Sequence, residues 1–148
     1  MAHHYPLTLA WTGNSLEASY NRSATLSNEG KLSIPVSSAP EYAGDPTRWN
    51  PEDLLGSALA TCHMLTFLAL CAKAKVEVVG YKDRADAVLD TVDKVARITR
   101  VHLRPVIRVA RGTSMAKVLD LFEKAHKYCF VANSVTCDTV LEPRIVEV

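Results

Sequence analysis

The stretch Asn50-Pro51-Glu52-Asp53-Leu54-Leu55-Gly56-Ser57-Ala58-Leu59-Ala60-Thr61-Cys62, with its continuation to Ala72, decides how this chain folds. Asn50 suits a helix N-cap and Pro51 the first helical position. Glu52 and Asp53 favour the positive end of the helix dipole. From Leu54 to Ala72, nineteen positions, there is no acidic or basic residue, so apolar side chains occupy every face. Such a helix either spans a membrane or lies at the centre of a core covered on all sides. Its rise of roughly 28 Å would just cross a bilayer. Gly56, Ser57, Ala58, Ala60, Thr61, His63 and Thr66, however, make it only mildly hydrophobic and invite close approach by another element. The core helix is the expectation, and a dimer supplies its cover more easily than one small domain.

Outward from this helix the pattern changes period. Leu7, Leu9 and Trp11 alternate with small or polar residues, Leu16, Ala18 and Tyr20 resume the alternation, and Leu32, Ile34 and Val36 follow the turn Asn28-Glu29-Gly30-Lys31. These predict an antiparallel meander over residues 5 to 36, ended by Pro35. Residues 37 to 49 carry Pro40, Gly44 and Pro46 and read as a long loop. Residues 76 to 110 read as two long strands joined near Asp90–Lys94. Arg111-Gly112-Thr113-Ser114 caps a second helix carrying Met115, Val118, Leu119, Phe122 and Ala125 at helical spacing. Another helical turn is expected within 127 to 136, and Thr139 to Val148 reads as one closing strand. The order predicts a single α+β domain over 1–148.

Composition bounds the function. The 148 residues are 48% hydrophobic with a formal net charge of +1, enough for a core and without the basic excess of a general nucleic-acid binder. The N-terminal residues lack the pattern of a signal peptide, so a cytoplasmic protein with reduced thiols is expected. Four cysteines are too few to staple a fold. No pair has CxxC spacing, and a mixed site from Cys62, His63, His126 and Cys129 lacks ligand spacing, so neither metal nor cofactor is expected. Serine-hydrolase and phosphate-loop motifs are absent.

The Asn50–Cys62 motif resembles the central-helix motif of the OsmC/Ohr family: an Asn-Pro-Glu start, small residues, then Cys ten positions after Glu. A second family cysteine is matched by Cys129 in His126-Lys127-Tyr128-Cys129-Phe130-Val131-Ala132-Asn133-Ser134. The resemblance implies an intertwined homodimer with antiparallel sheets around a long buried central helix. It implies a thiol peroxidase acting on organic hydroperoxides, an antioxidant stress-response activity recycled by an external dithiol of lipoyl or similar type. Carried over by position, Cys62 is the peroxidatic cysteine, Cys129 the resolving one, and Glu52 the acid that orients a catalytic arginine. Arg22 is the first choice for that arginine and Arg48 the second. The chain departs from the Cys-Pro-Val-Ser of many members, since Phe130 follows Cys129 and a pre-set helix start is lost. His63 stands where an aromatic residue is common.

Cys62 lies about 18 Å along the helix from Asn50, beyond the useful reach of the dipole. Burial would raise its pKa, so a nearby cation is expected to activate it. Glu52 and Cys62 are about 15 Å apart on one straight helix. They meet in one site only if the helix bends or if Glu52 comes from a partner subunit, and the second is preferred. The competing class is a non-enzymatic module of the same fold that binds a small apolar ligand or senses redox state. No membrane and no nucleic-acid partner is expected.

Overall fold

The structure, a computed structural model, describes residues 1–148. Two compact units appear, Met1–Leu54 and Leu55–Val148.

In the first unit, β1 (Thr8–Ala10), β2 (Ala24–Ser27) and β3 (Ile34–Val36) form an antiparallel sheet in the order β1-β2-β3. The expected strand at Leu16–Tyr20 is absent. Asn14 folds that stretch instead, its side chain accepting from Leu16 N at 3.0 Å and its carbonyl from Glu17 N at 3.2 Å. Such Asx turns compete with strand ladders. Residues 37 to 49 form an ordered loop around a 3-10 turn at Pro40–Tyr42. A Cβ added at Gly44 would meet Ser38 O at 1.6 Å, so only glycine fits there. The unit leaves much apolar surface bare, with Leu16 at 90% and Leu32 at 93% exposure.

Helix α1 (Pro51–Lys73) starts as the sequence predicts. Asp53 N donates to Asn50 Oδ1 at 2.8 Å and Asn50 N to Asp53 Oδ2 at 3.1 Å, a reciprocal box that satisfies two orphan donors. It ends with Val76 N bonded to Cys71 O and Lys75 N to Ala72 O, with Lys75 left-handed at φ 59°. That is a Schellman motif with lysine where glycine is favoured. By length and composition α1 could cross a membrane. Its burial is nevertheless one-sided. Gly56, Leu59, His63, Phe67 and Cys71 form the buried stripe, at helical spacing, while Leu65 is 57% exposed. The expectation of cover on all faces is thus not met by this chain alone.

The rest of the second unit is two three-stranded sheets and helix α2 (Met115–Tyr128). The two long strands expected over 76 to 110 are four: β4 (Val78–Asp83), β5 (Asp86–Val92), β6 (Val95–Leu103) and β7 (Pro105–Val109). β5 and β6 pair through a tight turn with Asp93 and Lys94 both at positive φ, the twist a two-residue hairpin needs. The closing strand is also two, β8 (Asp138–Leu141) and β9 (Arg144–Glu147), because Pro143 cannot donate to a ladder. β8 joins β6 and β9 joins β7, both in parallel, giving sheets β5-β6-β8 and β4-β7-β9. These sheets are therefore mixed rather than antiparallel throughout. Ser114 caps α2 as expected, accepting from Lys117 N.

Two cores result. Phe67, Cys71, Ile107, Val109, Val118, Leu121, Phe122 and Ala125 pack the later half of α1 to α2 and sheet β4-β7-β9. Leu59, Val101 and Leu103 pack its earlier half to sheet β5-β6-β8, with Val131, Ala132 and Cys137 around them.

Candidate active site

The second core fixes the site. Leu59 lies one turn before Cys62 on α1, and its packing with Val131 and Ala132 brings the segment after α2 onto that helix. The segment is a tight turn. Asn133 N bonds to Cys129 O at 3.1 Å, Ser134 N to Val131 O at 2.9 Å, and Ser134 Oγ to Phe130 O at 2.7 Å. Asn133 Nδ2 reaches back to Lys127 O at 3.1 Å. The Cys129 sulfur accepts from Ala132 N at 3.4 Å. The turn brings the backbone of Phe130 and Val131, with the Cys129 thiol, into the neighbourhood of the Cys62 thiol.

The two thiols are polarised in opposite directions. Burial works against the Cys62 thiolate. The Val131 amide, the Cys129 thiol and the Phe130 amide outweigh it and hold its pKa below the usual thiol range. Burial raises the pKa of Cys129, and the neighbouring Cys62 raises it further against the opposing Ala132 amide. Cys62 is partly exposed and Cys129 is buried. Cys62 is thus the more accessible and the more acidic thiol of the two. Both are free in this structure, as are Cys71 and Cys137. Cys71 is core, its pKa pushed up to about 11 by burial, and Cys137 packs beside Leu59 and Val101.

The sequence reading missed the source of this activation. It named a cation alone, and two backbone amides and a thiol within the second unit also favour the thiolate. Backbone donors leave no mark in a pattern of side chains. The one available signal was the absence of proline at position 130, since proline has no N–H to donate.

The other expected residues have defined local geometry. Glu52 sits in the first turn of α1, and its Oε2 is buried with no hydrogen-bond partner. Helix α1 runs unbroken from Glu52 to Cys62, so a rise of about 15 Å separates them within one chain. Arg22 lies over the Tyr20 ring at 4.1 Å and donates to Tyr20 O at 3.0 Å. Arg48 donates to Ala24 O at 3.2 Å and pairs with Asp45 at 3.5 Å. His63 points into the core, fully buried and edge-on to Phe122 at 4.4 Å. Burial, then the nearby His126 charge, lowers its pKa to about 4, so it is neutral at neutral pH.

A mixed α+β unit with a long apolar helix bearing one thiol, and a second thiol brought to it from the turn after α2, defines a paired-cysteine class of protein. The chain belongs to the OsmC-like protein family, whose match covers residues 44–144. It is similar to an OsmC-like protein of unknown function from Vibrio cholerae O1 biovar eltor, at 31% identity and a TM-score of 0.86, covering 97% of this chain and 99% of that one. The uncharacterised Bacillus subtilis protein YmaD is 23% identical over 143 residues, 95% of this chain and 91% of that protein. An organic hydroperoxide resistance protein from Elizabethkingia anophelis shares the fold, at 18% identity and a TM-score of 0.71 over all of both chains.

Proposed function

We propose that this protein is a thiol peroxidase that reduces organic hydroperoxides. The observation that carries the reading is the adjacent pair Cys62 and Cys129 with opposite pKa shifts. The Cys62 thiolate attacks the terminal peroxide oxygen, the O–O bond breaks, and the alkoxide leaves as the alcohol after taking a proton. Cys62 becomes a sulfenic acid. The Cys129 sulfur then displaces hydroxide from it, forming a disulfide and water. An external dithiol restores both thiols by exchange and is itself oxidised. Exposed Phe130, next in sequence to Cys129, gives the surroundings of the thiol pair an apolar character suited to hydrophobic peroxides.

The working form in this proposal is an intertwined homodimer. The exposed apolar residues of the first unit and, separately, the bare flank of α1 at Leu65 support it, because apolar side chains left in water gain by burial against a partner. Glu52 and its arginine, Arg22 before Arg48, then act in the partner's site. The unpartnered Glu52 Oε2 is the observation in favour, and the arginine would donate to the peroxide oxygens as charge develops.

The test is hydroperoxide consumption with a dithiol reductant. Cys62→Ser should abolish turnover. Wild-type turnover in that variant would refute the assignment of Cys62, and unreactive thiols in the native protein would leave the non-enzymatic ligand-binding or sensing module as the better account.

A further inference from the structure

The outward face of sheet β4-β7-β9 is a separate feature. Its inward positions, Tyr81, Ile107 and Ile145, face the first core. The registers Lys82↔Val106↔Arg144 and Gly80↔Arg108↔Val146 place Lys82, Arg108 and Arg144 on the opposite side. Arg84 follows β4 and Arg104 precedes β7 at the same end. Lys82, Arg84, Arg104 and Arg144 surround a hollow of about 310 Å³ floored by Val106. Lys82, Arg84, Arg108 and Arg144 form no ion pair, whereas Arg104 is paired with Asp86 and with Glu142 at 3.4 Å. The acidic side chains at the rim of the hollow are Asp86 and Glu142, both engaged by Arg104. Asp83 turns the other way and accepts from Arg104 N at 2.7 Å, and Glu147 accepts from Gly112 N at 2.7 Å. Arg108 extends over Gly80, where an added Cβ would meet its side chain at 3.1 Å.

A chain of net charge +1 has thus gathered four unpaired cations, Lys82, Arg84, Arg108 and Arg144, beside the paired Arg104, against the mutual repulsion that this costs. The geometry points to a binding site for a compact polyanion carrying two or more linked phosphoryl groups, held in the hollow by Lys82, Arg84 and Arg144. Long basic side chains converging on one point match clustered phosphoryl oxygens. The hollow has the size of a small-molecule site. The cations ring it rather than track along a groove, and no aromatic side chain on this face offers a base a stacking partner, so a nucleic-acid strand fits poorly. The apolar side chains on and beside this face, Val106, Val146 and the exposed Val79 at the β4 bulge, are small and set apart from one another by the cations, a poor match to a bilayer. The inference is independent of the thiol chemistry.

The test is titration of the full-length protein with inorganic tripolyphosphate at about 50 mM salt, where such contacts are strong. Saturable binding is expected, with amide resonance shifts centred on Lys82, Val106 and Arg144, and orthophosphate should bind at least about tenfold more weakly. Lys82→Gln with Arg144→Gln should weaken binding by about tenfold or more, one charge-assisted contact being lost at each. Arg97→Gln, an exposed cation on the other sheet, should change nothing. Hydroperoxide consumption, if present, should be the same in all these variants. The proposal is overturned if tripolyphosphate does not bind at about 1 mM, tens of times the expected dissociation constant for several such contacts. Equal loss in the Arg97 variant, or tighter binding of single-stranded DNA or anionic vesicles than of tripolyphosphate, would overturn it too.

Discussion

Replacing Phe130 by proline removes one of the two backbone amides that lower the Cys62 pKa, together with an exposed ring that a separate alanine control accounts for. The Phe130 side chain is 81% exposed, so its loss uncovers no core. Cys129, which would precede the proline, has φ −71° and ψ 113°, the extended backbone that residues before proline adopt. The turn's own hydrogen bonds use the carbonyl of Phe130, which proline keeps. An N–H bonded to a charged acceptor contributes about 1.5 to 3 kcal/mol. Sulfur is a weak acceptor and Cys62 is partly exposed, so the lower figure applies, and about 1.5 kcal/mol is roughly a tenfold change in an equilibrium. The thiolate fraction near neutral pH should fall about tenfold, and with it the alkylation rate of Cys62. The assay is the pH–rate profile for alkylation by a neutral haloacetamide, read on a Cys62 peptide by mass. Phe130→Ala is the control, because it removes the ring and keeps the N–H. Its profile should match the wild type, with the proline variant displaced to higher pH. Superimposable profiles for the two variants would refute the amide account.

Burial of neutral His63 makes stability depend on pH. Its folded pKa of about 4 lies below the ordinary 6.5, so the unfolded chain takes up the proton first. Its stabilising contribution is complete above pH 6.5 and is lost as pH falls towards 4, at a cost of about 3 kcal/mol. Denaturant midpoints between pH 7.5 and 4.5 should fall steeply in the wild type and less so in His63→Leu; parallel slopes would contradict this. Lys75→Gly should stabilise the fold by about 1 kcal/mol in chemical denaturation, because lysine is strained at the left-handed end of α1. Phe122→Ala should cost about 3 to 5 kcal/mol, since its ring is fully buried against Phe67 and His63. Cys71, with a pKa pushed up to about 11, should resist alkylation at pH 8 long after Cys62 has reacted, as peptide mapping would show.

Local chemistry made the helices legible in the sequence. Asn50, Pro51 and Asp53 fix the start of α1, and Ser114 that of α2, through side chains adjacent in sequence to the groups they satisfy. The cysteine pair was legible through its motif, and the structure unites it by the packing of Leu59 with Val131 and Ala132. Pairing between strands far apart in sequence was not legible. Alternation over Thr139–Val148 says nothing of Pro143 sending its two halves to different sheets. At Leu16–Tyr20 the same alternation misled, because Asn14 closes a turn first. The basic face was hidden for a related reason: its residues come from three strands and meet only through their registers.

The central claim is that Cys62 is the residue oxidised and Cys129 the residue that resolves it. Intact mass after addition of one equivalent of cumene hydroperoxide to the reduced protein measures both at once. The account predicts a wild-type species about 2 Da lighter, from one disulfide, and a Cys129→Ser species about 16 Da heavier, from a sulfenic acid, with no change in Cys62→Ser. Oxidation of Cys62→Ser at the wild-type rate, or a disulfide that survives in Cys129→Ser, would contradict it.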